Sequence, residues 1–382
     1  AQGDWSVDLV VSEQTPATAA NNFLGPTHNG MGATGWGSFA AGAYNRASGA
    51  GAVAIGFHNV AGPLDSDESS IPTSGNTTNL GQFAVGYGTQ ATGHVAFSAG
   101  RGTIASGNYS TAMGYGTTAS GNYSTAMGYG TTASGYYSTA MGFDTTASGG
   151  YSTAMGYRTS AYGANAIAMG NETETNGNNT VAMGFNTFAG GANSTAMGDS
   201  TSASGANSTT MGIETRSGDY ASLVIGQYNS SGFSATDANN YSPSNTAFVI
   251  GNGINDSNRS DAFKVMFNGD ATVSNDLTVS GDVNVSSDAR LKANIASLGS
   301  TIAKLLLIDG KSYTMKKDGK QKIGVLAQDV QKVFPELVSK DDNEMLAVNY
   351  QGLVPVLINA LKEQDEKISR LENLVEKLIS EK

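Results

Sequence analysis

Residues 109–122 read YSTAMGYGTTASGN, and residues 123–136 read YSTAMGYGTTASGY. The near-repetition runs on in both directions. Gly114, Gly128, Gly142, Gly156, Gly170, Gly184, Gly198, Gly212 and Gly226 recur every 14 residues, with Gly100 and Gly86 upstream and Gly56 and Gly42 at an offset. A second glycine column lies halfway, from Gly93 through Gly107 and Gly121 to Gly205. A fixed period of this length marks a repeat architecture, in which each unit buries its apolar side only against its neighbours. STAM and TTAS are too short and too β-branched for helices, so the glycines read as one turn residue per short strand. Two strands and two turns per period describe one coil of a flattened β-solenoid. At a rise of about 4.8 Å per coil, about thirteen or fourteen coils extend on the order of 65 Å.

The columns down the stack carry the next inference. Ala112, Ala126, Ala140, Ala154, Ala168, Ala182 and Ala196 share one position, and Met113, Met127, Met141, Met155, Met169, Met183, Met197 and Met211 share the next. Neighbouring strand residues face opposite ways. Small Ala therefore lines the narrow interior and Met faces out. A file of methionines on a lone chain is a large apolar strip, which predicts that chains associate along it. A third column runs from Thr89 and Thr103 to Thr215. It has two readings: strand residues with their methyls packed, or a flat hydroxyl array that orders water, as in ice-binding solenoids. Against the second, the adjacent column (Thr118, Thr132, Thr146) breaks down at Ser160, Glu174 and Phe188.

Composition narrows the class. The chain has 382 residues, 50 Gly, no Cys and 14% charged residues, yet 39% are apolar, too many for a disordered chain. Its net charge of −11 argues against a nucleic-acid partner. No apolar run is long enough for a membrane span. The start at AQGDWSV, without Met, fits a mature or excised chain. With no Cys, the redox compartment stays open. Six basic and 18 acidic residues precede Ser286, against 15 and 14 from there on, so the composition breaks at a domain boundary.

The pattern S-x-A-x-G-x-x-x-x-A-x-G, as in 110–121, resembles the head repeats of YadA-like trimeric autotransporter adhesins over about residues 33–226. That resemblance implies a mainly β fold: a left-handed parallel β-roll, three chains side by side, displayed outside a cell or on a virion tail. Residues 1–32 read as an N-terminal segment. The stretch at roughly 60–80 departs from the period and reads as a surface loop whose Asp65, Asp67 and Glu68 are more simply solvated than Ca²⁺-bound.

Residues 227–285 read as a β neck. NTAFVIGNG (245–253) and AFKVMF (262–267) have strand character, and Val273, Leu277, Val279, Val283 and Val285 alternate with polar residues as short strands. Each carries too little apolar area to stand alone. Such runs resemble the intertwined β shafts of viral tail fibres.

From Ser286 the chain changes character. Helical spacing appears in IASLGSTIAKLLLI (295–308), a strand-turn-strand around YTMKKDGKQKIGVL (313–326), and a short helix at AQDVQKVF (327–334) stopped by Pro335. Leu361, Ile368 and Val375 with Gln364, Leu371 and Leu378 give about three heptads of coiled coil over 361–382. SDARLKANI (287–295), IGVLAQDV (323–330), FPELV (334–338) and LAVNYQGLVPVL (346–357) resemble, in order, the endosialidase-type intramolecular chaperone family. The resemblance implies an α+β unit over 286–382 that assembles the preceding fibre as a homotrimer. Many members then cut themselves off at a Ser-Asp junction, so the resemblance marks Ser287 as nucleophile, Lys292 as base, and Asp288 as flanking the scissile bond. At most this is a single-turnover serine endopeptidase.

The chemistry sets conditions. Lys serves as a base only where burial or neighbouring positive charge lowers its pKa; Arg290 would help and Asp288 would oppose. Ser287 Oγ reaches the carbonyl of Ser286 through a five-membered ring but its own carbonyl only through a four-membered one. A cut after Ser287 therefore needs another chain's group, a water or the Asp288 carboxylate. The plainer reading is that Ser-Asp caps a short helix. His28, His58 and His94 have no ligand spacing, no glycine stretch precedes a helix as a phosphate loop does, and no cofactor or metal is expected. The scattered head carboxylates nominate no glycosidase pair. Two functions remain: a trimeric surface fibre that binds a glycan, a host surface or ice, and a tail spike acting on polysaccharide.

Overall fold

The computed structural model describes residues 7–10, 32–33, 35, 37–63, 80–340 and 344–381. Asp65, Asp67, Glu68 and His28 lie outside the described residues. The chain divides into two compact units, Ala1–Thr278 and Val279–Lys382.

The first unit is a β-solenoid of about thirteen coils. Each coil contributes a five-residue strand such as Thr111–Tyr115 and a two-residue strand such as Thr118–Ala119, and the short strands form a 13-stranded sheet. Every strand pairs in parallel with its counterpart one coil on, residue for residue: Thr111 opposes Thr125, Met113 opposes Met127, Tyr115 opposes Tyr129. Val7–Val10 adds a further parallel strand beside Phe39–Ala43. Four small residues fill the interior of each coil. Ala112 and Ala119, one from each sheet, are fully buried, as are Ser110 and Thr117, and so are their repeats. Ala therefore faces in and Met out, as the alternation predicts; Met113 is 39% exposed.

The same burial overturns the water-ordering reading of the Thr column. Thr89, Thr103, Thr117, Thr131, Thr145 and their repeats are buried to within 1%. Their hydroxyls are buried, and an ice surface cannot reach them. Where the Thr column ends, Asn takes the position. Asn59 Nδ2 donates to the carbonyls of Ile55 (2.7 Å) and Gly86 (2.8 Å), while its Oδ1 accepts from Thr89 N (3.0 Å) and Thr89 Oγ1 (2.7 Å). Asn229 closes the other end by bonding both the N–H and the carbonyl of Arg216, each at 2.8 Å.

The reading of both glycine columns as turn residues holds for the halfway column, where the Gly121 carbonyl accepts from Ser124 N at 3.2 Å across a turn, and needs correction for the other. Gly114 and its repeats are the fourth residue of the long strand, at φ between +119° and +133° over most coils. A Cβ on Gly128 would lie 1.9 Å from the carbonyl oxygen of Gly142, and one on Gly121 would lie 2.0 Å from that of Gly135. Close approach of consecutive coils, not turn geometry alone, excludes every other residue. The left-handed corner positions are held instead by residues such as Tyr109 (φ 57°), Asp144 (φ 54°) and Arg158 (φ 51°).

The coil pattern does not end where the 14-residue period does. After an excursion through 228–245, Thr246–Asn252 pairs in register with Leu223–Gln227, Gly251 opposite Gly226. The excursion is pinned by Asp219, which is 1% exposed: its carboxylate accepts from Thr236 N (2.6 Å), Thr246 N (2.8 Å) and Thr246 Oγ1 (2.5 Å). Asp261–Met266 then runs antiparallel and ends the regular stack. Of the short strands expected at Val273, Leu277, Val279, Val283 and Val285, the first forms, as Ala271–Val273 pairs with Asp261–Met266; the others do not, and Leu277, Val283 and Val285 are more than 60% exposed. A single chain offers that run no edge to pair with.

The described residues of the second unit hold three α-helices: α1 (Ile302–Leu305), α2 (Ala327–Val333) and α3 (Leu353–Ser380). A hairpin joins Lys311–Thr314 to Gln321–Gly324, and Val338–Lys340 pairs with Leu346–Val348. The hairpin and α2 fall where the sequence pattern placed them. The helix expected across 295–308 shrinks to four residues because Gly299, at φ +65°, breaks its approach. α3 begins eight residues before the heptads, with Pro355 tolerated in its first turn. Val330, Phe334 and Val356 form a small core, with Leu305, Ile308, Val325, Leu337 and Val348 packed on it.

Replacing Gly128 with Ala is expected to destabilise the solenoid by more than about 3 kcal/mol, because the strained φ and the backbone clash add. Thermal denaturation of the variant beside Gly130→Ala, whose added Cβ meets no atom closer than 3.8 Å, measures it.

Candidate functional site

The residues singled out for self-cleavage lie on one tight turn. Asp288 takes an extended conformation (φ −62°, ψ 136°) and its carboxylate accepts from Arg290 N at 2.8 Å, capping a single 3₁₀ turn, Ala289–Leu291. An Asp ahead of three helix-tolerant residues satisfies an otherwise unbonded N–H at the turn's start. The capping expectation is met. The turn then reverses the chain so that Lys292, again extended, donates its N–H to the carbonyl of Ala289 at 3.1 Å. As a result Lys292 Nζ lies 2.7 Å from Ser287 Oγ and donates to it. The cap builds the turn, and the turn brings the two side chains together.

Arg290 does not serve Lys292. Its Nε reaches both Asp288 carboxylate oxygens (3.1 and 3.2 Å) and its terminal nitrogen reaches Oδ2 at 2.7 Å. The guanidinium and then the Arg290 N–H hold the Asp288 carboxyl below its ordinary range, and Asp288 raises the Arg290 guanidinium in turn. Each of these charges is met by the other, so neither presents a bare charge to the amine. The whole turn is open to solvent in one chain, and Leu291 and Ile295 beside it are 73% and 69% exposed.

One residue that pattern reading missed joins the elements of this unit. Glu363 on α3 accepts from Ser300 Oγ (2.6 Å), from the N–H groups of Thr301 and Ile302, and from Thr301 Oγ1 (3.4 Å), serving as N-cap to α1 from another helix. Thr301, 2% exposed, also donates to the carbonyl of Val356 at 3.0 Å. The Ser300 hydroxyl and the Thr301 N–H hold the Glu363 carboxyl below the usual carboxylate range. No sequence signal marks a cap supplied across 62 residues.

Elsewhere, His58 stacks on Tyr44 at 5.1 Å and His94 meets Tyr109 edge-on at 5.1 Å. Among the described residues no three His, Asp or Glu side chains gather as a metal site, and no helix is long and apolar enough to cross a membrane.

Residues 33–59, 105–131, 133–159, 161–187 and 189–212 match the family model described as the YadA head domain repeat. Residues 287–339 match that described as the chaperone of endosialidase, beginning at Ser287 itself. The chain thus carries head repeats of the first kind followed by a chaperone segment of the second, in the order the motifs indicate. No curated protein matches the chain as a relative.

The Glu363 latch yields a pH prediction. A carboxyl whose folded pKa is depressed contributes stability above its unfolded value, about 4.3, and loses it as pH falls through the folded value. Thermal melting followed by helix ellipticity is expected to show that acid loss in the native protein and a flatter acid profile in Glu363→Ala.

Proposed function

We propose that the chain is the subunit of a homotrimeric surface or tail fibre, that its C-terminal unit trimerises and aligns the head, and that the unit then releases itself at Ser287. The trimer reading is carried by the apolar surface a single copy leaves open. On α3, Leu361, Ile368, Leu371, Val375 and Leu378, the heptad positions, are all at least 48% exposed. Such a stripe matches a coiled-coil seam, and the methionine file on the head offers a second strip for the same association. The head repeats support display as an adhesin-like fibre outside a cell or on a virion, with a surface ligand to match.

Why a fibre needs the C-terminal unit follows from the coils. Those at 109–122 and 123–136 are nearly interchangeable, so three heads can pair one coil out of step at little energetic cost. Distant parallel pairing is slow and exposes edges meanwhile. A unit that trimerises at one end sets the register, and the coils then zip away from it.

The release reading rests on the 2.7 Å contact between Lys292 Nζ and Ser287 Oγ. In one chain the amine is exposed; a lysine acts as a base where burial disfavours its charged form, and neighbouring copies are the source of that cover. Lys292 takes the hydroxyl proton as Oγ attacks the carbonyl carbon of Ser286. It returns the proton to the leaving nitrogen of Ser287, and water then hydrolyses the ester. Cleavage after Ser287 instead needs another chain's group, the Asp288 carboxylate or a water; on the water route Lys292 takes a proton from the water as it attacks the Ser287 carbonyl and returns it to the leaving nitrogen of Asp288. The two routes leave Ser287 or Asp288 as the new N-terminus.

Intact mass with N-terminal sequencing tests the release: the wild-type chain is expected to yield a fragment starting at 287 or 288 and Lys292→Ala to stay whole, while Ser287→Ala stays whole on the Oγ route and is still cut on the water route. A wild-type chain that stays intact after trimerising contradicts it. Deleting 286–382 is expected to give aggregated or misregistered heads, and efficient refolding of the truncated chain into the same trimer overturns the chaperone role.

A further inference from the structure

One edge of the solenoid carries an aromatic ladder that its fold does not need. Tyr109, Tyr123, Tyr137 and Tyr151 occupy the same corner of four successive coils, each in the left-handed region (φ 54° to 59°) and each at least 41% exposed. Bulky side chains are disfavoured there, whereas Asn is tolerated. The protein supplies its own comparison. In the next four coils the same corner is held by Asn165, Asn179, Asn193 and Asn207, at matching φ, with carboxamides bonded to one another at 3.0 Å. The corner is thus built equally well, and with less backbone strain, without tyrosine. Strain kept at an exposed position is a pointer to function.

The ladder's geometry restricts what it can hold. Consecutive rings stack at 5.0, 4.6 and 5.2 Å, with interplanar angles of 5°, 11° and 15°. Their faces are taken up by each other, so a ligand meets ring edges and the phenol hydroxyls at their rim, repeated once per coil. Beside them, Asn108 and Asn122 use their carboxamide oxygens to accept backbone N–H groups of the preceding coil at 3.0 Å, which leaves their NH₂ groups as exposed donors. Ser106, Ser120, Ser134 and Ser148 add exposed hydroxyls at the same interval. Tyr with Ser, Gly and Asn is a composition suited to recognition, rigid amphipathic area beside adaptable hydrogen-bonding groups. The strip is also nearly uncharged: between Arg101 and Arg158 the one charged residue is Asp144.

We propose that this tyrosine edge binds a neutral, extended β-linked polysaccharide laid along the solenoid axis. A β-linked pyranose chain in its extended form advances by nearly the separation of coils, about 4.8 Å, so successive sugars meet successive phenols. Ring edges and amides suit its hydroxyls, and the lack of charge neither attracts nor repels it. An anionic polymer finds no cation on the strip and a net charge of −11 on the chain. The inference rests on the reading of the head as a displayed fibre and names the class of its ligand.

The test uses the full chain with cello-oligosaccharides of increasing length, against alginate as an anionic control and dextran as an α-linked one. Calorimetry is expected to show affinity rising with cello-oligosaccharide length and weak or absent binding of both controls. The double variant Tyr123→Asn/Tyr137→Asn, which installs the residue of the later coils, is expected to bind on the order of tenfold more weakly or worse, with unchanged melting and unchanged oligomer mass. Absence of length-dependent binding overturns the proposal, as does a variant that binds like the native chain. A variant that loses its oligomeric state also overturns it, by making the ladder a seam between copies. Light scattering on the same samples keeps the fibre reading separate: a trimer that ignores the sugar sinks this inference alone.

Discussion

Consecutive coils of the head approach so closely that no atom fits between the strand glycine of one and the carbonyl of the next; the missing methyl is what allows the stack. That contact is forced by the spacing of the parallel ladder, and the flat cross-section is filled mainly by Ala, Ser and Thr, with larger side chains such as Gln82, Asn59, Asn229 and Val224 inside only toward the two ends. Elsewhere larger side chains are driven outward. The solenoid therefore has almost no variable interior, and the chemistry it displays sits on its edges and faces: methionines along one sheet, tyrosines and then asparagines at one corner. A repeat that specifies its own spacing this firmly says nothing about which coil should meet which in a neighbouring copy.

The C-terminal unit has the opposite character. It is rich in charge, its core is small, and its longest helix keeps an apolar stripe in the open. Its internal order depends on polar clasps, of which Glu363 across α1 and the Asp288–Arg290 pair are the clearest. Both act on the segment that follows the head. The first anchors α1 against the helix that bears the heptads; the second shapes the turn that brings Lys292 to Ser287. A unit of this kind is suited to acting through association, since as a single copy it leaves its apolar stripe uncovered.

What the sequence disclosed is what local rules control. Period and alternation placed Ala inside and Met outside, and turn chemistry located the hairpin and α2. The Ser-Asp turn was readable as a cap because capping is a matter of two or three adjacent residues. The errors arose where distant chain segments decide. The strand glycine column passed for a turn column because the carbonyl that forbids a side chain there belongs to the next coil, 14 residues away. The Thr column gave no sign of facing inward, since Thr suits either face of a strand. Thr246–Asn252 rejoins the stack only after a loop that breaks the period. The helix across 295–308 failed at Gly299, and the cap that holds its remnant comes from α3.

The account stands on copies aligned abreast by their C-terminal units. Light scattering on the full-length Lys292→Ala chain, with its intact mass checked on the same sample, measures this most directly. The account predicts three times the chain mass, unchanged on dilution. A stable particle of one chain mass contradicts it.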